Sequence, residues 1–430
     1  MDRLKRGRWA AAALLLGFAA SPVPAQPALP EAPALDDYVA FAQASSPELA
    51  AADARLTAAR EAADGAGALP DPVLSYGYFF TPVETRVGPQ RDRLGLRQSL
   101  PWFGTLGLRS EAAAAGAEVA AAQREGVRRG IVRAVTGAYV ELAYLHRAIQ
   151  VTEENVALLE RLEGVVRSRY RTGAADYAAL IRVQVEAGKL QDRLRGLDDR
   201  RRPLTAALNA SLGRPADAPL PWPEDLPAAA LTLDEDGLRQ RLRAGHPELL
   251  AAAAEVDRQR ADEALAGKAG WPSITLSVER IRTDPALMPD VDGSGKDPVV
   301  GGIALSLPLW RGKVAAERRA AAAKRLAAEA SGTDRLNQLN ARLERALYDL
   351  RDAGRKIELY DGELIPQAEQ SLAATEESFR AGGAGFDGLV DAERVLLEFR
   401  LNLERARADR ALALADVTLL TGVEVARSQP

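Results

Sequence analysis

The chain contains two copies of one sequence pattern, and this duplication constrains its fold more than any other feature. Ser46-Pro47-Glu48-Leu49 returns as His246-Pro247-Glu248-Leu249. The other repeated pairs are Pro70 with Pro272, Leu100-Pro101 with Leu307-Pro308, Gly104 with Gly312, Tyr170-Arg171-x-Gly173 with Phe379-Arg380-x-Gly382, and Leu212-Gly213 with Leu420 to Gly422. The offset rises from 200 residues at the first pair to 209 at the paired glycines 173 and 382. Two copies of one fold with small insertions give such a series.

The duplication divides the chain into two structural repeats. We predict a first repeat over residues 26–213, a Pro-rich linker over 214–232, a second repeat over 233–422 and a C-terminal tail over 423–430. Each repeat begins with a helix that opens on a proline, where the missing N–H costs no intrahelical hydrogen bond. A β-hairpin follows, at 72–100 and 273–307, and then a long helical hairpin, at 104–213 and 312–422.

The N-terminus has the pattern of a secretory signal peptide over residues 1–25. Basic residues come first, an apolar run follows from Trp9 to Ala20, and Val23-Pro24-Ala25 offers a small-residue cleavage site. An uncleaved anchor is the alternative, but the apolar run is shorter than the roughly 20 residues that span a bilayer. No later segment is long and apolar enough, so we do not expect a helical integral membrane protein.

Composition excludes several chemistries. The chain has no cysteine, two histidines and two methionines, which removes thiol chemistry and makes soft-metal coordination improbable. Its 56 basic and 60 acidic side chains balance to a formal charge of −4, so no nucleic-acid partner is indicated. The carboxylates lie on repetitive charged helix faces, without a catalytic triad, phosphate loop or metal-ligand spacing. We therefore predict no catalytic residue, no metal and no cofactor.

The hairpin segments alternate between apolar and polar residues. Ile274, Leu276 and Val278 alternate with polar side chains, as do Leu94 and Leu96, whereas the segment 73–80 is apolar on both faces and ambiguous. Alternation alone suits a soluble sheet as well as a transmembrane β-barrel.

Tryptophans shift the interpretation of these strands toward a membrane barrel. Trp102, Trp271 and Trp310 all lie at the helix-proximal strand ends, where an aromatic girdle would meet the membrane interface. Four strands cannot close a barrel, so several chains must contribute strands: two copies give eight and three give twelve.

The helical hairpins are predicted to be very long. No proline occurs between Gly104 and Tyr170, so one helix of about 100 Å is possible at 1.5 Å per residue. Apolar residues with 4,3 spacing in both arms indicate antiparallel coiled coils. The outgoing arms of the two repeats align at offset 208 and the returning arms at 209. One extra residue must therefore lie between them, and we predict a kink or π-bulge near Gly362 and Pro366 in the second repeat only.

Taken together, these features resemble the TolC-like outer-membrane factors of tripartite efflux and type I secretion systems. The resemblance covers nearly all of the mature chain. The resemblance rests on the duplicated hairpins, the Tyr170-x-x-Gly173 and Phe379-x-x-Gly382 turns, the Leu-Pro-Trp-Phe-Gly segment at 100–104 and its counterpart at 307–312. The region 70–104 looks somewhat like the heavy-metal-efflux members, although the chain has no ligands suited to soft metals.

The resemblance implies a mainly α fold with a membrane β-barrel portion. In that family, three protomers form a twelve-stranded β-barrel that continues into a long periplasmic α-barrel. The implied partners of this chain are two further copies in a homotrimer, a periplasmic adaptor (membrane fusion) protein, an inner-membrane pump of the resistance-nodulation-division or ATP-driven type, and outer-membrane lipid. The implied location is the outer membrane, extending into the periplasm.

The resemblance also implies a site at the periplasmic tip. Tyr170, Gly173, Phe379 and Gly382 would line or support a closable aperture and meet the adaptor. Asp391 matches a position where the family often places an aperture carboxylate, and Arg182 occupies it in the first repeat. A threefold ring of Asp391 would favour cations; the alternative is a solvated helix face. Small residues follow the tip glycines here, where the family commonly has polar ones.

The function implied is passive conduction of cargo from adaptor and pump to the outside. One alternative is the outer-membrane duct of a type I protein secretion system. A periplasmic coiled-coil adaptor is a further one, although it would have one hairpin and no lipid-facing strands. An enzyme is a third class, and the residues offer no site for it.

Overall fold

A computed structural model describes residues 29–173, 176–223, 226, 229–230, 233–381, 383, 385–423 and 426–427. The predicted signal peptide and Gly382 lie outside the described residues. The helices are α1 (Leu35–Ser45), α2 (Pro47–Ala66), α3 (Thr105–Arg171), α4 (Tyr177–Ser211), α5 (Glu235–Gly245), α6 (Pro247–Lys268), α7 (Arg311–Leu359), α8 (Ile365–Ala381) and α9 (Phe386–Thr421). The strands are β1 (Val73–Val83), β2 (Gln90–Leu100), β3 (Ala229–Ala230), β4 (Ser273–Thr283), β5 (Val299–Ser306) and β6 (Ala426–Arg427).

Both repeats use the same order of elements, with related start signals. Pro47 and Pro247 occupy the first turns of α2 and α6. The Ser46 side chain accepts a hydrogen bond from the Leu49 amide, and the His246 ring accepts one from the Glu248 amide. Each cap satisfies an amide that has no intrahelical partner. The duplicated sequence thus produces duplicated helix starts through different side chains.

Long helices form the bulk of the molecule. α3 runs through 67 residues without interruption, and its apolar seam lies in the core. The buried seam residues of α3 are Ile131, Val135, Leu142, Leu145, Ile149 and Leu159. All but Leu159 pack on α1, α4 and the linker in one cluster, and Leu159 belongs to a second cluster that joins α3, α4, α8 and α9 near the far end. Side-chain packing along the seams therefore holds the two repeats of one chain side by side.

The second helical hairpin contains the predicted irregularity. Residues Tyr360–Leu364 form one π-helical turn between α7 and α8, and Pro366 follows within the first turn of α8. The wider turn takes up one extra residue and leaves room for a proline that lacks an N–H. The prediction of a kink or π-bulge near Gly362 and Pro366 is confirmed, and α3 in the first repeat has no such interruption.

The linker is fixed to the first helical hairpin by an aromatic stack. Trp222 lies parallel to the His146 ring, with centroids 4.7 Å apart, and the Arg201 guanidinium lies 4.1 Å from the Trp222 ring centroid. Cation–π contact adds to the area that Trp222 covers. The linker is therefore held against α3 and α4.

Four strands form one antiparallel sheet in the order β1-β2-β4-β5. The ambiguous segment 73–80 is part of β1, which pairs with β2. β2 and β4 join the two repeats, with Leu96 opposite Val278. Large apolar side chains project outward from one face of this sheet, and β1 and β5 form its two edges. The exposed side chains of this face are Leu74, Tyr76, Tyr78, Phe80, Leu94, Leu96, Leu276, Val278, Ile303 and Leu305.

Within the described residues, no helix is both long enough and apolar enough to cross a membrane.

The two loops at the end of the sheet far from the helices contact each other closely. Asp284 donates its amide to the Pro89 carbonyl, and the Gly295 amide donates to the Val87 carbonyl, both at 2.9 Å. Gly88 lies between these contacts with φ of +129°, and a Cβ on it would be 1.8 Å from the Asp284 carbonyl oxygen. Only glycine fits this position without moving backbone.

We expect Gly88→Ala to destabilise the folded protein by about 1–3 kcal/mol, because it combines an unfavourable φ with a backbone clash. Gly107→Ala is the matched control, since Gly107 lies in α3 with open space around its Cα; this change should be neutral or stabilising. Thermal unfolding followed by circular dichroism in detergent measures both. Equal melting temperatures for the two variants would contradict the loop contact.

Candidate functional site at the helical hairpin tips

The first helical turnaround depends on one glycine. α3 ends at Arg171, Gly173 adopts φ of +73°, and α4 begins at Tyr177. The Asp176 carboxylate caps α4 by accepting a hydrogen bond from the Ala179 amide at 2.8 Å. A left-handed glycine followed by an acidic N-cap is a compact way to reverse a helix. The sequence-predicted Gly173 thus lies at the turn itself.

The second turnaround lies between α8 and α9. The Gly383 amide donates to the Ser378 carbonyl at 2.9 Å, and α9 begins at Phe386. Gly382, the counterpart of Gly173, is outside the described residues, so its predicted role stays a prediction.

Tyr170 and Phe379, which the repeat makes equivalent, have different surroundings. Tyr170 is 43% exposed and contacts the Tyr177 ring, with centroids 5.8 Å apart. Phe379 is buried against Phe386, with centroids 6.0 Å apart, in the cluster shared by both helical hairpins. The first tip therefore presents aromatic surface to its surroundings, whereas the second uses its aromatic pair as core.

Polar contacts join the two helical hairpins near the tips. Arg169 of α3 donates to the Phe379 carbonyl, and its guanidinium lies 4.8 Å from the Phe379 ring centroid. Arg182 of α4 forms an ion pair with Asp387 of α9.

A second ion pair between the same helices links Arg394 of α9 to Glu186 of α4 at 3.2 Å. We call these three links, Arg169–Phe379, Arg182–Asp387 and Arg394–Glu186, the tip contacts. The Arg182–Asp387 pair is solvent-exposed and therefore weak by itself, whereas Glu186 is largely buried in its pair with Arg394.

Asp391 and Arg182 do not contact each other. Asp391 has a side chain that is 72% exposed, and its nearest basic partner is Arg394 one turn along, at 3.4 Å. Arg182 is instead engaged by Asp387, which raises the pKa of the guanidinium through a hydrogen bond and charge attraction. The structure leaves the Asp391 carboxylate free to face solvent or neighbouring chains. Its role in an aperture ring stays a prediction.

Glu393, which the sequence did not single out, is the most perturbed carboxyl of the tip region. Its side chain is buried, and its Oε1 atom has no hydrogen-bond partner among the described residues. Burial, together with the charges of Glu376 and Glu186, raises the pKa of the Glu393 carboxyl to about 8. Glu393 is therefore protonated at neutral pH and packs as a neutral acid between the helical hairpins.

The spacing of apolar residues around Glu393 could have predicted its burial from the sequence. It lies four residues after Leu389 and four before Leu397, both buried, so it falls on the apolar stripe of α9. A glutamate on such a stripe must be buried or distort the helix contact. The tip contacts of Arg169 and Asp387 had no comparable signal, because they join residues more than 200 positions apart.

The three predicted interface tryptophans lie at one end of the sheet. Trp102 follows β2, Trp271 precedes β4 and Trp310 precedes α7. The Trp102 and Trp271 rings stack with centroids 5.1 Å apart, and Trp310 is largely exposed. Their position where strands meet helices matches the prediction from sequence, while contact with a membrane interface stays a prediction.

No group of three or more potential metal ligands occurs within the part of the chain that the structure describes. The tips instead offer aromatic surface, ion pairs and one buried acid. The family model for outer membrane efflux proteins matches residues 40–214 and 238–423, one match in each repeat. The chain belongs to the outer membrane efflux protein family.

Individual relatives agree with this family. The pyoverdine export outer membrane protein OpmQ of Pseudomonas putida is 24% identical over 412 residues, covering 88% of this chain and 85% of OpmQ. Among solved structures, VceC of Vibrio cholerae superposes with a TM-score of 0.76 at 21% identity, covering 90% of this chain and 96% of VceC. CusC gives a TM-score of 0.78 at 17% identity over 94% of this chain and 97% of CusC.

Membership of the family assigns the general role and location. The chain is an efflux channel protein of the outer membrane, and the family is one of channels rather than enzymes. The structural neighbours confirm the fold predicted from sequence, mainly helical with four strands per chain.

We expect Glu393→Gln to stabilise the protein by about 2 kcal/mol or more at pH 8, with no gain near pH 4. As pH rises from about 4.5 to 8, the unfolded chain loses this proton while the folded chain keeps it, so the wild type loses stability in that window. Glutamine cannot ionise, so the variant avoids the loss. Thermal unfolding of purified protein across pH 4–9 measures the difference.

Glu398→Gln is the matched control, because Glu398 lies on the same helix but is exposed. Its melting temperature should follow that of the wild type at every pH. A Glu393→Gln gain that is independent of pH would contradict the assignment of a buried, protonated acid.

Proposed function

We propose that three copies of the chain form one duct, with a twelve-stranded β-barrel in the outer membrane and a periplasmic α-barrel built from the helical hairpins. The observation that carries the proposal is the four-stranded sheet with an apolar, exposed face and two open edges, β1 and β5. In lipid each unpaired backbone group costs several kcal/mol, so both edges must pair with other chains. Four strands from each of three chains close a barrel of twelve.

We further propose that the duct receives cargo from a periplasmic adaptor and an inner-membrane pump of the resistance-nodulation-division or ATP-driven type. The match to OpmQ, described as a pyoverdine export protein, favours export of small molecules. A type I protein secretion duct is the second candidate, because the same architecture could serve it. A pump encoded beside this chain would distinguish the two.

The tips are proposed as the gate and adaptor contact. Tyr170 and Gly173 would form the accessible part of the first tip, and Phe379 and Gly382 would support the second. Asp391 would contribute one carboxylate per protomer to a ring of three. Arg182, through Asp387, would hold α4 and α9 together in the closed arrangement. Adaptor binding to splayed hairpins would shift the population toward the open state.

We expect the mature chain in outer-membrane extracts to run as a trimer on gels without heating and as a monomer after boiling. Interchain strand pairing should resist detergent, since every backbone group in the barrel wall is hydrogen-bonded. Crosslinking in cells measures the same state independently. A water-soluble monomer obtained without detergent would overturn the duct and favour a periplasmic adaptor.

We expect Arg182→Ala to raise the time that isolated trimers spend conducting in planar bilayers, because it removes the ion pair with Asp387 between α4 and α9. Loss of one exposed ion pair is worth about 1 kcal/mol or less, which is up to about fivefold in the ratio of open to closed states. Asp349→Ala is the control, because it removes an exposed ion pair with Arg345 on α7, outside the tips. Unchanged conduction in Arg182→Ala would count against a gate at this place.

A further inference from the structure

The strand register places three charged side chains on the face of the sheet opposite the apolar one. Residues directly opposite each other in a ladder project to the same face. Arg93 is opposite Gly77, Arg97 is opposite Val73, and Glu279 is opposite Gly95. Arg93, Arg97 and Glu279 alternate along their strands with the exposed apolar residues, such as Leu96 and Leu276, and so project to the opposite face. This face, which we call the polar face, therefore carries Arg93, Arg97 and Glu279.

Contacts between side chains support the assignment of the polar face. A Cβ on Gly77 would lie 2.9 Å from Arg93 Nε, so the Arg93 side chain lies across that glycine. The polar face also carries the apolar Val73, Ile281 and Val300, and its other positions in register are small. They include Ser75, Gly77, Gly95, Ser99, Thr275, Ser277, Gly302 and Ala304. Because these neighbours are small, they leave the two arginine side chains uncovered.

Charges on the polar face do not cancel. Arg93 Nη1 lies 3.9 Å from Glu279 Oε1, so this arginine is partly neutralised. Within the described residues, no carboxylate oxygen lies within 4.0 Å of the Arg97 guanidinium. Arg91, at the bulged end of β2, has no register partner and is neutralised by Asp284. Among the residues in register, the polar face thus carries two positive charges and one negative charge per chain.

The apolar face must face lipid in an outer-membrane channel, so the polar face lines the lumen. This step rests on the proposed function, the trimeric barrel. A barrel of twelve strands, spaced about 4.8 Å apart and tilted by about 40°, has a diameter of about 24 Å measured between backbones. The Debye length is about 8 Å at physiological ionic strength, so charges on the wall act over most of this width.

We propose that Arg93 and Arg97 of three chains form a basic ring in the barrel lumen that makes the exit of this channel select for anionic solutes. Six guanidinium groups and three Glu279 carboxylates leave an excess of three positive charges. A ring of one charge sign in a narrow, low-dielectric wall concentrates ions of the opposite sign. The cargo class that fits this exit is therefore a small organic or inorganic anion.

The proposed Asp391 ring lies at the opposite end of the molecule and carries the opposite charge. When the tips are closed, the narrow aperture would dominate ion preference. Once they open, the basic ring decides which ions are enriched on the way out. The two rings can be separated experimentally, since variants in one leave the other intact.

The test measures reversal potentials across a tenfold KCl gradient for purified trimers in planar bilayers, with Asp391→Ala present throughout to remove the tip charge. We expect the permeability ratio of chloride to potassium to exceed one. Arg97→Gln should lower this ratio by about twofold or more, because the ring then has no excess charge. Arg93→Gln with Arg97→Gln should reverse the preference, since only Glu279 remains, and Glu279→Gln alone should raise the ratio.

Arg282→Gln is the matched control. Arg282 is opposite Asp92 on the other face of the sheet, so its loss removes one positive charge from outside the lumen. It should leave the permeability ratio unchanged. Heat-modifiable trimer bands verify that each variant is assembled before it is measured.

The outcomes separate this inference from the proposed function. If no conducting trimer forms, the duct fails and the anion preference fails with it. If trimers conduct but substitutions of Arg93, Arg97 and Glu279 leave the permeability ratio unchanged, the basic ring is overturned and the proposed duct is not. The same conclusion follows if Arg282→Gln shifts the ratio equally. A ratio ordered Glu279→Gln, parent, Arg97→Gln, double variant, from highest to lowest, supports the ring.

Discussion

The hydrogen-bonding requirement of two open sheet edges governs this molecule. β1 and β5 each present a row of backbone groups with no partner in the chain's own four-stranded sheet, and the apolar face beside them is exposed. Water can satisfy such edges, but lipid cannot. An outer-membrane protein with this sheet is therefore incomplete as a single chain. The long helices continue from the same strands, so any assembly that closes the sheet also arranges the helical hairpins in a ring.

Duplication gives both repeats the same order of helices and strands, whereas their side chains give the two tips different surroundings. Tyr170 is exposed where Phe379 is core, and the second repeat alone contains the π-helical turn. The two helical hairpins of one chain therefore differ in exposed aromatic surface and in helix geometry, although their sequences are related.

Electrostatics adds a second level of asymmetry along the proposed duct. The tip carries the exposed Asp391 carboxylate and the buried, protonated Glu393, whereas the sheet carries the arginines of its polar face. The tip thus combines an exposed charge with a buried neutral acid.

The sequence alone determined the architecture, because its signals are periodic and local. The repeat offsets predicted two copies, and the proline-free stretch with its heptad seam predicted the long α3. The one-residue difference between the offsets of the outgoing and returning arms located the π-turn near Gly362 and Pro366. Alternation located β2, β4 and β5, but β1 was ambiguous, because apolar residues on both faces hide a period of two.

Only the tertiary structure decided which side chains meet across the repeats. Arg182 pairs with Asp387 rather than with Asp391, and Arg169 reaches the Phe379 carbonyl. These contacts depend on the relative rotation and height of helices that are distant in sequence, which small shifts in packing set and no local pattern encodes. The burial of Glu393 has the same origin, since its pKa depends on neighbours from α4 and α8.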